Sequence, residues 1–368
     1  MKVLNVMSRF NIGGTAQWLY QLSNGLSDNA IDNLLIVGKC PKHEKEDPRI
    51  EKLKYKTVLG LSPKSNLIKT IKAFFILRKI IKTYNPDIIN THTSRAGLIG
   101  RLAAVTVNPR PKIVHTFHGH VLAGYFNPII SNLIISIERF LARFTDMFFI
   151  SGEKVKEDLV RVGVIKHQAI MQVWPGVPDL LIDNSNDARS KYGIGLDRFV
   201  VGSLGRKAKI KRLDRVLSLA IRNPDILFFV AGDGPDLNEL YPEIYRGKDL
   251  PNLLEKRIMS PSEMWAIADV CLLTSDNEAI PIAPIEASLA KVPVVATDVG
   301  STSEAVANDL TGFVCKPEIE LIEKSLIKLS ENPHLRKKMG DKGRQISLVK
   351  FNPIKSVNQQ LLGYRNLL

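Results

Sequence analysis

The chain has 368 residues, 45% of them hydrophobic and 24% charged, which is too apolar for disorder and long enough for roughly two domains of about 150 residues. Lys plus Arg number 51 against 37 Asp plus Glu, a formal net charge of +14; that excess asks for an anionic partner, whether nucleic acid, phosphorylated metabolite or membrane surface. Cys40, Cys271 and Cys315 lie far apart and exclude a disulfide framework or a zinc module, which suits a reducing, cytosolic setting.

Short apolar runs over residues 3–7, 34–37, 87–90, 112–116 and 147–151 read as strands, as do 199–204, 227–231, 270–274 and 292–296 in the second half. Amphipathic stretches lie between them, among them 15–26, 94–105 and 282–290, and read as helices. This alternation predicts two α/β domains, each Rossmann-like and doubly wound, facing a cleft at the carboxyl ends of both sheets. The seam is expected within 175–197, where Pro175, Gly176, Pro178 and Gly193 mark a loop-rich composition; the division expected is 1–180 and 181–350. No run approaches the ~18 apolar residues of a spanning helix, and the first residues lack the apolar core of a secretory signal. The expected location is the cytoplasm, peripheral on the inner face of the cell membrane.

The membrane part of that expectation comes from residues 52–86, which carry nine Lys or Arg (Lys52, Lys54, Lys56, Lys64, Lys69, Lys72, Arg78, Lys79 and Lys82) and no Asp or Glu. Within it, Leu67, Ile68, Ile71, Phe74, Phe75, Ile80 and Ile81 are spaced as an apolar helix face. Such a helix either docks on anionic headgroups or packs on the sheet with a solvated basic face.

Several motifs follow predicted strands. Asn11-Ile12-Gly13-Gly14-Thr15 opens a helix, and its glycines allow close backbone approach to a phosphate. The segment from Asn90 to Gly97 offers Thr91, His92 and Arg95 as polar residues at a strand end, although Ser94 equally suits a helix cap and His92 a satisfied loop histidine. His115, His118 and His120 raise a metal site if an extended strand sets all three on one face, but no carboxylate or cysteine in the segment completes the set. Gly202-Ser203-Leu204-Gly205-Arg206 leads into a basic loop where Arg206 and Lys211 can neutralise a diphosphate, with Lys207, Lys209 and Arg212 as bystanders. Ala231-Gly232-Asp233-Gly234-Pro235 is a strand-to-turn element, without the glycine spacing of a dinucleotide site. Glu278 and Glu286 flank a predicted helix start whose free amides at Ile282 and Ala283 favour an anion.

This last segment, Glu278 to Glu286, resembles the Glu-x7-Glu motif of retaining glycosyltransferases of family 4, which have the two-domain GT-B fold. The resemblance continues through Val292-Pro293-Val294-Val295-Ala296-Thr297-Asp298-Val299-Gly300, Glu304-Ala305-Val306 and Thr311-Gly312-Phe313-Val314, and upstream through Gly205-Arg206 and Lys211, which match the family's Gly-Arg-x4-Lys signature. It implies donor contacts by Arg206 and Lys211 on the diphosphate, Glu286 on the ribose and Glu278 on the sugar, with His118 near sugar and leaving phosphate; the segment 90–97, similar to that of bacterial polysaccharide-assembling members, implies acceptor-sugar contacts by Thr91, His92 and Arg95. It also implies a final helix, residues 351–368, returning to the first domain. The activity implied is metal-independent, retaining transfer of a hexose or N-acetylhexosamine from a UDP- or GDP-sugar to a lipid-linked glycan or polysaccharide precursor, with no cofactor and no nucleic-acid partner. The chain has no Asp-x-Asp, which fits a site without metal. A GT-B sugar-nucleotide 2-epimerase or a catalytically silent sugar-nucleotide-binding paralogue are the alternatives. Ala279 and Pro281 stand where the family favours glycine, and Trp174-Pro175-Gly176-Val177 replaces a more usual Pro-Asn-Gly-Val.

Overall fold

A computed structural model describes residues 1–41, 44–63, 65–119, 128–180, 182, 185–245 and 250–368. Lys64 and His120 therefore lie outside the described residues. The chain forms two compact units, one of residues 1–176 with 353–368, the other of residues 177–352.

The first unit holds a seven-stranded sheet. Its strands are β1 (Lys2–Met7), β2 (Asp32–Val37), β3 (Tyr55–Thr57), β4 (Ile88–His92), β5 (Lys112–Phe117), β6 (Met147–Ile150) and β7 (Ala169–Gln172). They lie in the order β3-β2-β1-β4-β5-β6-β7, and each neighbouring pair is parallel. Parallel neighbours need crossovers, and here helices supply most of them: α1 (Gly14–Asp28), α2 (Leu67–Tyr84), α3 (Ser94–Val105) and α4 (Pro128–Ala142) follow β1, β3, β4 and β5.

Strand periodicity divides the core of this unit. Val3 and Met7 of β1 join Trp18, Leu19 and Leu22 of α1 and Val357 and Leu361 of the C-terminal helix Pro353–Leu367. Leu4 and Val6 point the other way, into a cluster with Ala73, Leu77 and Ile81 of α2 and Ile99 and Ala103 of α3. Successive strand side chains face opposite sides, so one strand serves two layers. The C-terminal helix is bound to this sheet by polar contacts as well. Trp18 donates to Gln360 at 3.2 Å, and the buried Asn90 amide donates to the Tyr364 hydroxyl at 2.7 Å.

The second unit holds a six-stranded sheet in the order β10-β9-β8-β11-β12-β13. Its strands are β8 (Val200–Leu204), β9 (Leu227–Ala231), β10 (Leu253–Lys256), β11 (Val270–Leu273), β12 (Val294–Thr297) and β13 (Gly312–Cys315), again all parallel. In both sheets the order reverses next to the first strand, between β1 and β4 and between β8 and β11. That switch point is where doubly wound sheets bind ligands, beyond the carboxyl ends of the strands.

Helix α2 differs from the expected apolar face. Ala73, Leu77 and Ile81 are its buried stripe, while Leu67, Ile68, Ile71, Phe75 and Ile76 stay exposed, Leu67 at 73% and Ile68 at 66%. The helix thus has an inner seam made by i, i+4, i+8 spacing and an outward apolar surface interleaved with lysines.

Replacing Tyr364 by Phe tests the docking of the C-terminal helix. The change removes the acceptor of a buried amide, and about 1–3 kcal/mol of stability should be lost. Urea unfolding should show a lower midpoint at unchanged slope.

Candidate donor site and the histidine cluster

Three loops at the carboxyl ends of β8, β9 and β11 assemble the site of the second unit. After β8 the chain turns through Gly205 into Arg206, whose side chain is exposed and makes no hydrogen bond or ion pair among the described residues. A tight turn at residues 209–211 then carries Lys211 back towards β11. There its ammonium meets Glu278 Oε1 at 2.5 Å, and the Ser275 hydroxyl donates to the same oxygen at 2.5 Å. Two residues 67 apart in sequence are thereby paired, as the motif reading required of a shared site. The Thr274 hydroxyl donates to the Lys211 carbonyl at 3.0 Å, and the Asp276 amide donates to Ile210 at 2.9 Å. The two loops are therefore fixed to each other by backbone contacts as well as by charge.

The loop after β11 ends in the helix Ile282–Leu289, whose N-cap is Pro281 and has no side-chain cap. Ile282 and Ala283 thus present first-turn amides, the positive end of the helix dipole, with no acid in that turn. Glu286 lies one turn along and is 6% exposed. The carbonyl of Glu278 accepts from Ser301 at 3.1 Å. Gly300, at φ 52°, passes so close that a β-carbon there would collide with that carbonyl, which explains glycine at this turn.

The basic loop after β8 is less uniform than its sequence suggests. Lys207, expected as a solvated bystander, has a side chain with no exposed surface. Arg212 is bound to Asp214 and Asp276 at 2.8 and 2.9 Å, and those carboxylates hold its guanidinium charged, with the Asp214 hydrogen bond the larger cause. Arg215 reinforces the same point, 2.8 Å from Asp276 and 2.6 Å from the Thr274 carbonyl. Ser275, Asp276 and Arg215 were not read as site residues. Nothing in their type or spacing indicates whom they bind.

In the first unit, Gly13 is the N-cap of α1 with φ 156° and ψ 177°, a backbone region that glycine alone occupies readily. Gly13 is exposed and no acid lies in the first turn of α1, so the anion-receptive start read from the sequence is open at Gly13 and Gly14. Below it lies a line of polar groups on the α1 side of the sheet. His92 Nδ1 is 2.8 Å from His118 Nε2, His92 Nε2 is 3.4 Å from Asn5 Oδ1, and the Trp18 ring meets His118 edge-on at 4.8 Å.

The histidines do not share one face. His115 lies on the other side of β5, with its Nδ1 2.8 Å from the Thr91 hydroxyl. Its neighbour Gly97 is required by space, since a β-carbon would stand 2.7 Å from the ring. Residues 115 and 118 differ by an odd number, so alternation separates them. The acceptor reading also changes. Thr91 and His92 are fully buried and present no surface to a sugar. Arg95 is spent on the carbonyls of Pro63 and Ser65, at 3.1 and 2.8 Å, and on the Thr70 hydroxyl. Thr93, not Ser94, is the N-cap of α3, and its hydroxyl is bonded to Ser8 at 2.7 Å.

The architecture defines a class before any relative is considered: an α/β protein of two doubly wound parallel sheets, with cations and a free helix start at the strand ends of the second. Solved structures agree on the fold. Anabaena HepE, determined with UDP and glucose, superposes with a TM-score of 0.85 over 100% of both chains at 18% identity. Residues 184–346 match the model of glycosyl transferases group 1, and residues 12–179 match that of glycosyltransferase family 4. Named relatives include UDP-Gal:alpha-D-GlcNAc-diphosphoundecaprenol alpha-1,3-galactosyltransferase of Escherichia coli, 26% identical over 80% of this chain and 79% of that protein. The capsular polysaccharide biosynthesis glycosyltransferase CapM of Staphylococcus aureus is 26% identical over 78% of each. The protein is a GT-B glycosyltransferase, and it belongs to the family 4 type.

The buried imidazoles make the first unit acid-sensitive. Burial pushes His92 and His115 well below the ordinary histidine value of 6.5, and pushes His118 down to about 3. The folded rings stay neutral while unfolded ones take up protons below pH 6.5, so their contribution is complete above that pH and is lost as pH falls. Each fully buried imidazole should cost about 1.4 kcal/mol between about pH 7.5 and about pH 5.5. Urea unfolding at the two pH values should show this loss reduced by about that amount in His115→Asn.

Proposed function

We propose that this glycosyltransferase moves a hexose or N-acetylhexosamine from a nucleotide-diphosphate sugar to a lipid-linked glycan or polysaccharide precursor, with retention of anomeric configuration and without a metal. The observation that carries the reading is the Lys211–Glu278 pair at 2.5 Å beside the unpaired Arg206. The names of the E. coli relative, which specifies UDP-Gal and a diphosphoundecaprenol acceptor, and of CapM, which specifies capsular polysaccharide, support the substrate classes.

The chemistry is a problem of charge. The bond between the anomeric carbon and the diphosphate breaks with its electrons leaving on phosphate, and an acceptor oxygen bonds to that carbon. In a front-face reaction the acceptor proton passes to the departing phosphate oxygen. Fixed positive groups favour this transition state, because no reorganisation is needed when the charge develops. Arg206 supplies one such group in full and Lys211 a second whose charge is partly answered by Glu278, and the amides of Ile282 and Ala283 supply oriented dipoles. These groups fulfil the role that a divalent ion would otherwise take. Glu278, fixed by Ser275 and Lys211, is placed to accept from donor hydroxyls, and Glu286 to accept from the ribose diol. From the first unit, His118 as a neutral imidazole and the turn at Gly13 and Gly14 are assigned to the donor sugar and phosphate.

The exposed apolar face of α2, with Lys69, Lys72, Lys79 and Lys82 on the same helix, supports a peripheral position on an anionic membrane at the cytoplasmic face. No described helix is long and apolar enough to cross a membrane. Each lysine near such a surface adds about 1 kcal/mol of attraction, and the apolar side chains enter the interface.

Two experiments test these assignments. UDP- and GDP-sugars screened by thermal shift should stabilise the protein with one base preferred. Glu286→Ala should abolish both that shift and transfer while keeping the unliganded melting temperature. Full turnover by that variant would overturn the donor site, and a shift without transfer to any acceptor would favour the epimerase or silent-paralogue reading. Separately, the protein should sediment with vesicles containing anionic lipid and remain in the supernatant with neutral ones. Ile68→Asp/Phe75→Asp should abolish sedimentation without changing transfer to a soluble acceptor.

A further inference from the structure

Lys207 is the most enclosed cation of the donor loop, and nothing in the proposed chemistry uses it. Its side chain has no exposed surface, whereas the neighbouring Arg206 is exposed. The ammonium sits 2.5 Å from Glu255 Oε1 on β10 and 3.4 Å from Asp236 Oδ1. Glu255 in turn accepts from the Leu237 amide at 3.1 Å. Around this group the loop after β8 and the turn after β9 are joined along the backbone. Gly205 donates to Ala231 at 2.9 Å and Lys207 donates to Asp233 at 2.8 Å. Gly232 and Gly234 pass so close to the carbonyls of Gly205 and Lys207 that a β-carbon on either would collide with them. One ammonium therefore fastens the ends of three adjacent strands, β8, β9 and β10.

We propose that Lys207, through its ion pair with Glu255, is a positioning residue that holds Arg206 outward for the donor diphosphate. The reasoning is geometric. Lys207 is buried and the adjacent Arg206 exposed, so the two side chains leave this loop on different sides, and Gly205 before them imposes no direction of its own. If residue 207 is anchored beneath the loop, residue 206 must project from it. A lysine suits the anchor because its long flexible stem reaches β10 from the β8 loop, while its ammonium offers three donors to the two carboxylates there. A leucine would fill the space and leave Glu255 without its cation. The cationic pull on the donor is thus divided between two adjacent residues, one that touches the phosphate and one that aims it.

This inference rests on the assignment of Arg206 to the donor, and the test separates the two. Arg206→Ala should lower kcat/KM for the donor about 100-fold, the scale of losing one preorganised contact to developing charge. Lys207→Met/Glu255→Gln removes the ion pair while Gln keeps an acceptor for the Leu237 amide, and should lower kcat/KM by a similar factor. Adding Arg206→Ala to that double variant should cause little further loss, because the aimed group and its anchor act as one unit. A double variant with full activity, or losses that multiply in the triple variant, would overturn the positioning role while leaving Arg206 in place. No effect of Arg206→Ala alone would overturn both. Melting temperatures are measured alongside, and if the double variant is unfolded at the assay temperature, Lys207→Leu/Glu255→Gln serves as the second background, judged by the same non-additivity.

Discussion

A parallel strand cannot be joined to its neighbour by a tight turn, and most of this molecule's chemistry follows from that constraint. Every connection must leave the carboxyl end of one strand and return to the amino end of the next. The loops that begin these crossovers therefore gather at one edge of each sheet, and where a helix follows closely its free amides gather there too. The loop of Arg206 and Lys211 meets the loop of Glu278 because β8 and β11 are hydrogen-bonded neighbours, although Lys211 and Glu278 are 67 residues apart in sequence. His92, the last residue of β4, and His118, just past the end of β5, meet at the carboxyl end of the other sheet for the same reason, and Gly13 opens the helix that follows β1.

A second feature is the polar interior of the first unit. Asn5, Asn90, Thr91, His92, Arg101, His115 and Thr116 are each at most 1% exposed, which is costly unless their groups are paired. Most are: Thr116 donates to Asn90 at 2.9 Å, and Arg101 meets the buried Glu138 at 2.6 Å. Because such pairs tolerate little displacement, they specify strand register more sharply than apolar contacts do. They also mean that a polar residue at the end of a strand is not, by its type, a ligand-binding residue.

That distinction explains what was legible in the sequence. The nine predicted strands are all present, shifted by at most two residues at either end; they are the inner strands, buried on both faces and thus continuously apolar. The strands missed are β3, β7, β10 and β13, the four at the edges of the two sheets. Tyr55-Lys56-Thr57 and Ala169-Ile170-Met171-Gln172 contain no buried residue, so neither period nor composition distinguishes them from loop. That Lys211 and Glu278 would lie near each other was legible because two motifs at the ends of different strands both asked for an anion, whereas their direct ion pair was not. The burial of Thr91 and His92 was not, since a histidine three positions past an apolar pair fits a strand end and a loop equally well.

The charge surplus had the same ambiguity. Read along the chain, Arg206, Lys207, Lys209, Lys211 and Arg212 form one basic cluster, and net charge weights them equally. In three dimensions they have different tasks. Arg212 is held by Asp214 and Asp276, Lys211 by Glu278, and Lys207 by Glu255 under the loop; of the five, Arg206 and Lys209 are the two whose side chains are exposed and have no ionic or hydrogen-bonding partner among the described residues. A cation already paired in the folded state contributes geometry, because its field is largely answered by its partner. One that is unpaired contributes field, and only such a group gains in full when a new negative charge arrives. The surplus that asked for an anionic partner is therefore expressed at a few positions, chosen by which carboxylates the fold brings within reach.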